Sequence, residues 1–313
     1  MLILTRLLLA VVTLVLVSAI VFGAVRFLPG DIAQQLLGQS ATPENVAALR
    51  QQLGLDTPGY VSYFQWLGGI VSGDLGKSIA TGRTISDLIG TRLGNTFFLA
   101  GCTAIVAIPL GYILGFLGAL LRGSAFDRTT NVAGLAVISL PEYFVAYALV
   151  VVFAVKLGWF PALSRVSPSM DLLQRLDRIV LPAMSLGFVI VAYVMRVVKS
   201  SILNVLGEDY VQMAQMKGNS RFRVILVHAL PNALAPIINV TAINLAYLVV
   251  GVVIVETVFV YPGLGQLLVD SVVKRDMPVV QVVCLIFASI YILVNATADI
   301  LIVLTNPRLR HAK

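Results

Sequence analysis

The chain has 313 residues, of which 58% are hydrophobic and only 12% charged, so most of it cannot face water as a soluble domain does. A formal net charge of +7 would suit a nucleic-acid binder in a soluble protein, but here the basic residues sit in short segments between apolar runs and report membrane topology, so no nucleic-acid partner is expected. Two cysteines inside apolar runs, Cys102 and Cys284, and two scattered histidines, His228 and His311, offer neither a disulfide framework nor a metal centre with paired ligand spacing.

The first apolar run, Leu7 to Val25, lacks charges and is long enough to cross a hydrocarbon core of ~30 Å at about 1.5 Å per residue. It exceeds the roughly 7–15 apolar residues of a signal peptide, and no small-x-small cleavage site follows at Arg26-Phe27-Leu28-Pro29-Gly30, so it reads as a retained helix. A polar stretch from Arg26 to Asn95 comes next, with helix starts expected at Pro43-Glu44-Asn45 and Ser86-Asp87-Leu88. Further apolar runs at Thr96–Leu120, Val132–Val155, Ile179–Val198, Ala235–Val255 and Val279–Leu304 bring the total to six spans. The expected fold is an all-α polytopic membrane protein: an N-terminal transmembrane helix (1–28), an insertion on the far side of the membrane (29–95) and a five-helix core (96–313).

Lys156–Arg178 joins spans three and four, and Lys199–Asn232 joins spans four and five. Once the long first loop is discounted, about eleven Lys and Arg lie on one side against about six on the other, which places both termini in the cytoplasm. In the segment Gly207-Glu208-Asp209-Tyr210-Val211-Gln212-Met213-Ala214-Gln215-Met216-Lys217-Gly218, the acidic start suits a helix dipole and Gly218 is a natural stop. A second helical stretch follows, so a short helix pair projects from the bilayer, or the whole segment is a solvated connector.

Gly73-Asp74-Leu75-Gly76-Lys77-Ser78 imitates the end of a phosphate-binding loop. That loop needs four residues between its glycines after a buried strand, and here only two intervene. The chain therefore shows no means of hydrolysing ATP, and it carries no catalytic constellation and no cofactor motif. Glu142, after Pro141, falls near the middle of the third span, where a lipid-facing charge costs at least ~2.5–3.5 kcal/mol. It is expected to face a wet cavity or to pack at a helix interface, with Pro141 kinking the helix beside it. Glu256, at the end of span five, either stabilises the turn at Tyr261-Pro262-Gly263 or joins the pathway. Arg196 and Lys199 can snorkel to headgroups, and Asp299 is expected to pair with one of those bases. Gly111, Gly115 and Gly118 suit close helix packing.

The spacing Ala214-x3-Gly218, followed after nine residues by a position with x-Leu230-Pro231, resembles the cytoplasmic signature of ABC-importer permeases, in which a short coupling helix docks onto an ATPase subunit. Leu28-Pro29-Gly30-Asp31, Gly73-Asp74-Leu75-Gly76-Lys77-Ser78, Leu206-Gly207-Glu208-Asp209-Tyr210, Glu256-Thr257-Val258-Phe259, Tyr261-Pro262-Gly263-Leu264-Gly265, Arg275-Asp276-Met277-Pro278 and Asn306-Pro307-Arg308-Leu309-Arg310 resemble the dipeptide/oligopeptide (peptide/nickel) branch from first span to last. Gln212 and Met213 stand where the wider signature has Glu and Ala, and His228 where it has Ile; Lys217 fits the peptide branch.

The resemblance implies an ABC-importer type I permease fold, with spans two to six as core and the coupling helix within about 207–233. Asp209, Tyr210, Ala214, Lys217, Gly218, Leu230 and Pro231 would serve ATPase coupling, and Pro141, Glu142 and Glu256 the translocation pathway. Implied partners in a bacterial inner membrane are a second homologous permease, one or two ATP-binding subunits, an external solute-binding protein and membrane lipid. The implied cargo is a short peptide, with nickel complexes, glutathione or another peptide-like solute as alternatives. An ion-driven secondary transporter would call for several buried ionisable groups and a repeated pair of broken helices, and a membrane-embedded enzyme for a cluster of catalytic groups at one depth.

Overall fold

The structure, a computed structural model, describes residues 2–26, 34, 41–52 and 56–305. The Leu28-Pro29-Gly30-Asp31 and Asn306-Pro307-Arg308-Leu309-Arg310 stretches lie outside the described residues. Elements in chain order are α1 (Leu2–Arg26), α2 (Pro43–Gln52), α3 (Gly59–Ser72), α4 (Ile85–Leu120), α5 (Ala125–Ser139), α6 (Glu142–Lys156, its second half a π-helix), α7 (Leu172–Leu206), α8 (Asp209–Met216), α9 (Arg221–Val258), α10 (Leu264–Val273) and α11 (Met277–Thr305). Among the described residues there is no β-strand, only an isolated bridge between Lys77 and Thr84.

Five of these helices, α1, α4, α7, α9 and α11, are long and apolar enough to cross a membrane, and α5 with α6 forms a bent pair that makes a sixth crossing if it counts as one span. The helices outrun the apolar stretches read from the sequence. At 36 residues α4 is about 54 Å long, far more than the ~30 Å hydrocarbon core, so its ends project into the flanking polar layers. Helix α4 starts at Ile85, one residue before the expected Ser86, because Thr84 caps it and accepts the Asp87 N–H. The expected boundary between insertion and core at 95/96 therefore falls inside one continuous helix.

α4 and α7 form the centre of the core, and glycines set their separation. A Cβ at Gly111 would fall 2.8 Å from Val194 Cβ, and one at Gly115 would fall 2.7 Å from the Met195 carbonyl oxygen. With any larger residue at these two positions the backbones could not approach so closely. Around this contact Leu99, Leu181, Leu186, Ile190, Val198 and Ile202 are fully buried. α1 lies along α11, with Val25 against Met277 and Val280 at one end and Arg6 paired with Asp299 at 2.8 Å at the other. The expected partner of Asp299 is thus corrected: Lys199 is taken by the buried Asp127 of α5, across the α5–α7 contact.

The third span is not one kinked helix but two, meeting at 105°. Pro141 has no N–H to continue the ladder and disfavours helical backbone at the residue before it, so Leu140 adopts ψ 137 and helix restarts at Glu142. In α9, Pro231 is accommodated differently. The turn before it widens to a π-helix over Val224–Ala229, the Leu230 N–H reaching five residues back to Ile225 O.

Candidate functional site

Glu142 is the first residue of α6, placed by the Leu140-Pro141 break. Its Oε2 accepts a 2.9 Å hydrogen bond from the Tyr247 hydroxyl, while its Oε1 is buried with no partner among the described residues. Tyr247 lies about 16 Å along α9 from Val258, well within the apolar thickness. Its ring folds over Gly251, where a Cβ would fall 2.7 Å from Tyr247 Cζ. The two residues border a partly open cavity of about 490 Å³ between α5, α6, α7 and α9, lined also by Leu140, Val189, Tyr193, Val240, Ile243 and Asn244. Among the described residues no Lys, Arg or His lines it.

α8 is the second feature. Val211 and Ala214 face inward and pack with Val224 against Val205 and Leu206, so the helix is seated on the end of α7 and the start of α9. Ala214 is 7% exposed, and its small size is set by this chain's own packing. The outward face carries Tyr210, Met213 and Met216, exposed to 47%, 58% and 80%, beside the exposed Asp209, Gln212, Gln215 and Lys217. Gly218 adopts φ +79, and a methyl group placed on it would meet nothing within 4 Å, so glycine is required there by the left-handed turn that ends α8 and not by crowding. Asn219 Nδ2 closes the turn by donating to Ala214 O at 2.9 Å.

The α8 unit is then tied to the rest of the core. Arg221 Nη2 donates to Ala119 O of α4 at 3.1 Å, and Phe222 meets Phe116 edge-on with centroids 5.8 Å apart. Leu230 is partly buried and Pro231 exposed, both at the start of the regular part of α9, above the π-turn rather than on the projecting helix.

Glu256 sits apart from the cavity, fully buried at the opposite end of α9. It accepts from Thr96 Oγ1 at 2.7 Å, from the Gly265 N–H at 2.6 Å and from the Gln266 N–H at 3.1 Å, and so closes the N-terminus of α10 onto α4. The glycines of the Tyr261-Pro262-Gly263-Leu264-Gly265 motif make room for it: a Cβ on Gly263 would overlap Oε1 at 1.9 Å, and one on Gly265 would meet Val253 Cα at 2.5 Å. Asn95 completes the joint, its Nδ2 donating to Pro262 O at 2.9 Å while its backbone carbonyl accepts from the Tyr261 hydroxyl at 2.9 Å.

A second clasp lies at the same end. Asp276, held in a turn in which Arg275 takes φ +54, accepts from the Ser78 hydroxyl and from the Ile79 N–H at 3.0 Å. Gly73-Asp74-Leu75-Gly76-Lys77-Ser78 thus ends in a clamp onto Arg275-Asp276-Met277-Pro278, and two separate sequence motifs form one structure.

Sequence patterns single out Glu142, Pro141 and Glu256 together, and the structure separates Glu256 from the other two. They do not single out Tyr193, Asn244 and Tyr247, nor Asn95 and Thr96. Polar residues recurring inside an apolar run, as Asn244 and Tyr247 do in α9, were the available signal.

Comparison with known proteins follows the same outline. Residues 107–311 match the family described as binding-protein-dependent transport system inner membrane component, and residues 1–100 match its N-terminal companion family. A putative peptide transport system permease protein of Brucella abortus (strain 2308) is 37% identical, over 99% of each chain. A probable peptide ABC transporter permease protein of Sinorhizobium fredii is 34% identical, again over 99% of each. The glutathione transport system permease protein of Escherichia coli (strain K12) is 36% identical over 98% of this chain and 97% of its own length. Among solved structures, the MetNI methionine ABC transporter in an inward-facing conformation shares the fold, with TM-score 0.53 at 17% identity over 70% of this chain and 96% of that one.

Proposed function

This chain belongs to the family of binding-protein-dependent transport system inner membrane components, a multi-pass permease subunit that works with ATP-binding and substrate-binding partners, and from that membership we propose that it forms half of the pore of an ATP-driven importer of short peptides. A second homologous permease supplies the other half, one or two ATP-binding subunits sit on the cytoplasmic side, and a solute-binding protein delivers cargo to the opposite side, where 29–95 forms the insertion. Both termini are cytoplasmic. The basic residues Arg122, Arg128, Arg196, Lys199, Lys217, Arg221 and Arg223, all near the α8 end, support this orientation.

The observation that carries the proposal is the seating of α8. Its inner face is fastened to α7 and α9, its outer face is apolar at Tyr210, Met213 and Met216, and its stem is bonded to α4. Such a helix transmits a push without losing it in a flexible linker. Nucleotide-driven closure of the ATPase subunits would press on Asp209, Tyr210, Lys217 and the Gly218 turn, and through Arg221 and the base of α9 at Leu230 and Pro231 the rigid α4–α7 pair would rock to expose the Glu142 cavity alternately to each side.

The peptide cargo rests on relatives named for peptide and for glutathione transport, itself a peptide. The test is affinity purification of the chain from mild detergent, identification of co-purifying subunits and an ATPase assay, followed by ATP-dependent uptake of di- and tripeptides and of glutathione by the reconstituted complex. ATPase subunits and a second permease in the eluate are the expected result. A lone homo-oligomer without nucleotide hydrolysis would overturn it.

A further inference from the structure

We propose that the cavity around Glu142 is a cation subsite that takes the primary ammonium group of the passing solute, a proposal that rests on reading the chain as half of an import pore and adds the chemistry the pore recognises. Glu142 is an acidic group at membrane depth for which the chain provides no base: among the described residues no Lys, Arg or His lines the cavity, and none forms an ion pair with it. One of its oxygens is engaged by Tyr247 and the other, Oε1, is buried and unpartnered.

The remaining polar groups are suited to receiving N–H donors. The Tyr247 hydroxyl gives its proton to Glu142, which leaves its oxygen as an acceptor. Asn244 already donates its amide to Val240 O at 2.8 Å. Tyr193 also lines the cavity, and its aromatic ring and hydroxyl oxygen are both groups that attract cations.

The choice among cations follows from the same inventory. An ammonium has three N–H donors and one charge, matching one carboxyl and nearby hydroxyl oxygens. Ca2+ or Mg2+ requires about six oxygen ligands and a transition metal several His or Cys ligands, and a cavity with one carboxyl and, among the described residues, no His or Cys in its lining holds neither. An anionic or wholly apolar group would leave Oε1 as it is, buried and unpaired.

The experiment uses the purified complex with Cys102→Ala and Cys284→Ala, and Ile243→Cys as a reporter on the cavity wall. Its reaction rate is measured with a positively charged ethylammonium methanethiosulfonate and with a negatively charged sulfonate analogue, with and without ATP. With each rate divided by that reagent's rate with a free thiol in solution, the cationic reagent should be favoured by about tenfold, as one uncompensated charge at several ångströms predicts. That preference should vanish in Glu142→Gln and return in Glu142→Asp. Equal normalised rates with Glu142 present, an unchanged preference in Glu142→Gln, or no reaction in any nucleotide state would each overturn the proposal.

Uptake supplies the second arm. Wild type should prefer a tripeptide with a free amino terminus over its N-acetylated form through KM, and Glu142→Gln should lose that preference; equal losses for both peptides would mark Glu142 as structural and overturn the subsite. A wild-type complex that keeps the reagent preference but imports no peptide supports the cation subsite and refutes the peptide cargo, so the two readings fail separately.

Discussion

Replacing Glu256 with alanine removes the acceptor for three donors at once, Thr96 Oγ1 and the N–H groups of Gly265 and Gln266, at a residue with no solvent exposure. Each buried donor left without a partner costs about 1–3 kcal/mol, and partial rescue of Thr96 by rotation of its hydroxyl brings the sum to roughly 3–6 kcal/mol. If each kcal/mol moves the midpoint by about 2 °C, heating of the detergent-solubilised chain should show monodisperse protein lost about 6–12 °C earlier. Glu256→Gln is the discriminating control. Its amide oxygen can still accept from Gly265 and Gln266 and its nitrogen can donate to Thr96, so it should stay within about 1 kcal/mol of wild type. Fluorescence-detected size-exclusion chromatography after a temperature ramp reads both. An alanine variant as stable as wild type but defective in transport would refute the capping role and return Glu256 to the pathway; a glutamine variant as unstable as alanine would show that charge rather than hydrogen-bond geometry holds the joint.

Gly115→Val drives a side chain into the Met195 carbonyl, which as backbone cannot move aside, and should cost about 1–3 kcal/mol or more, seen as loss of folded protein in detergent. Met213→Glu with Met216→Glu changes only exposed side chains of α8, so the chain should remain folded and inserted while co-purification of ATPase subunits falls sharply; undiminished co-purification would remove this face from the docking surface. Gly218→Val forces a β-branched residue to φ +79, costing about 1–2 kcal/mol, and should loosen the end of α8, measured as a lower ATPase rate per complex. Asp276→Ala unfastens Ser78 and Ile79 and should speed limited proteolysis within residues 73–84 while leaving the core's thermal midpoint little changed.

Much of the membrane architecture was legible because a hydrocarbon slab imposes a length and a composition on whatever crosses it. The apolar runs located α1, α4, α7, α9 and α11, and the Pro141 signal was real. Its consequence was understated, since periodicity shows that a span is interrupted but not by what angle, and the 105° break appears only once α5 is seen packed on α7 and α6 on α7 and α9. The α8 signature was likewise visible, but the direction in which Ala214 faces was not: a short helix with apolar residues on both sides gives no indication of which side its own chain covers.

The amino-acid sequence by itself determined that this protein lives in a membrane, roughly how often it crosses, where a short polar helix stands and which transport family its motifs resemble, because these depend on local composition and ordered short patterns; the second helix expected beside it is the start of α9. Only the tertiary structure decided that Glu256 caps α10 and that Glu142 stands beside a cavity with one oxygen unpartnered among the described residues. Glu256 takes its meaning from Thr96, 160 positions earlier, and Glu142 from Tyr247, 105 positions later. Two carboxyls of the same type, each beside an apolar run, differ in role because folding brings donors to every oxygen of one and leaves an oxygen of the other without any among the described residues.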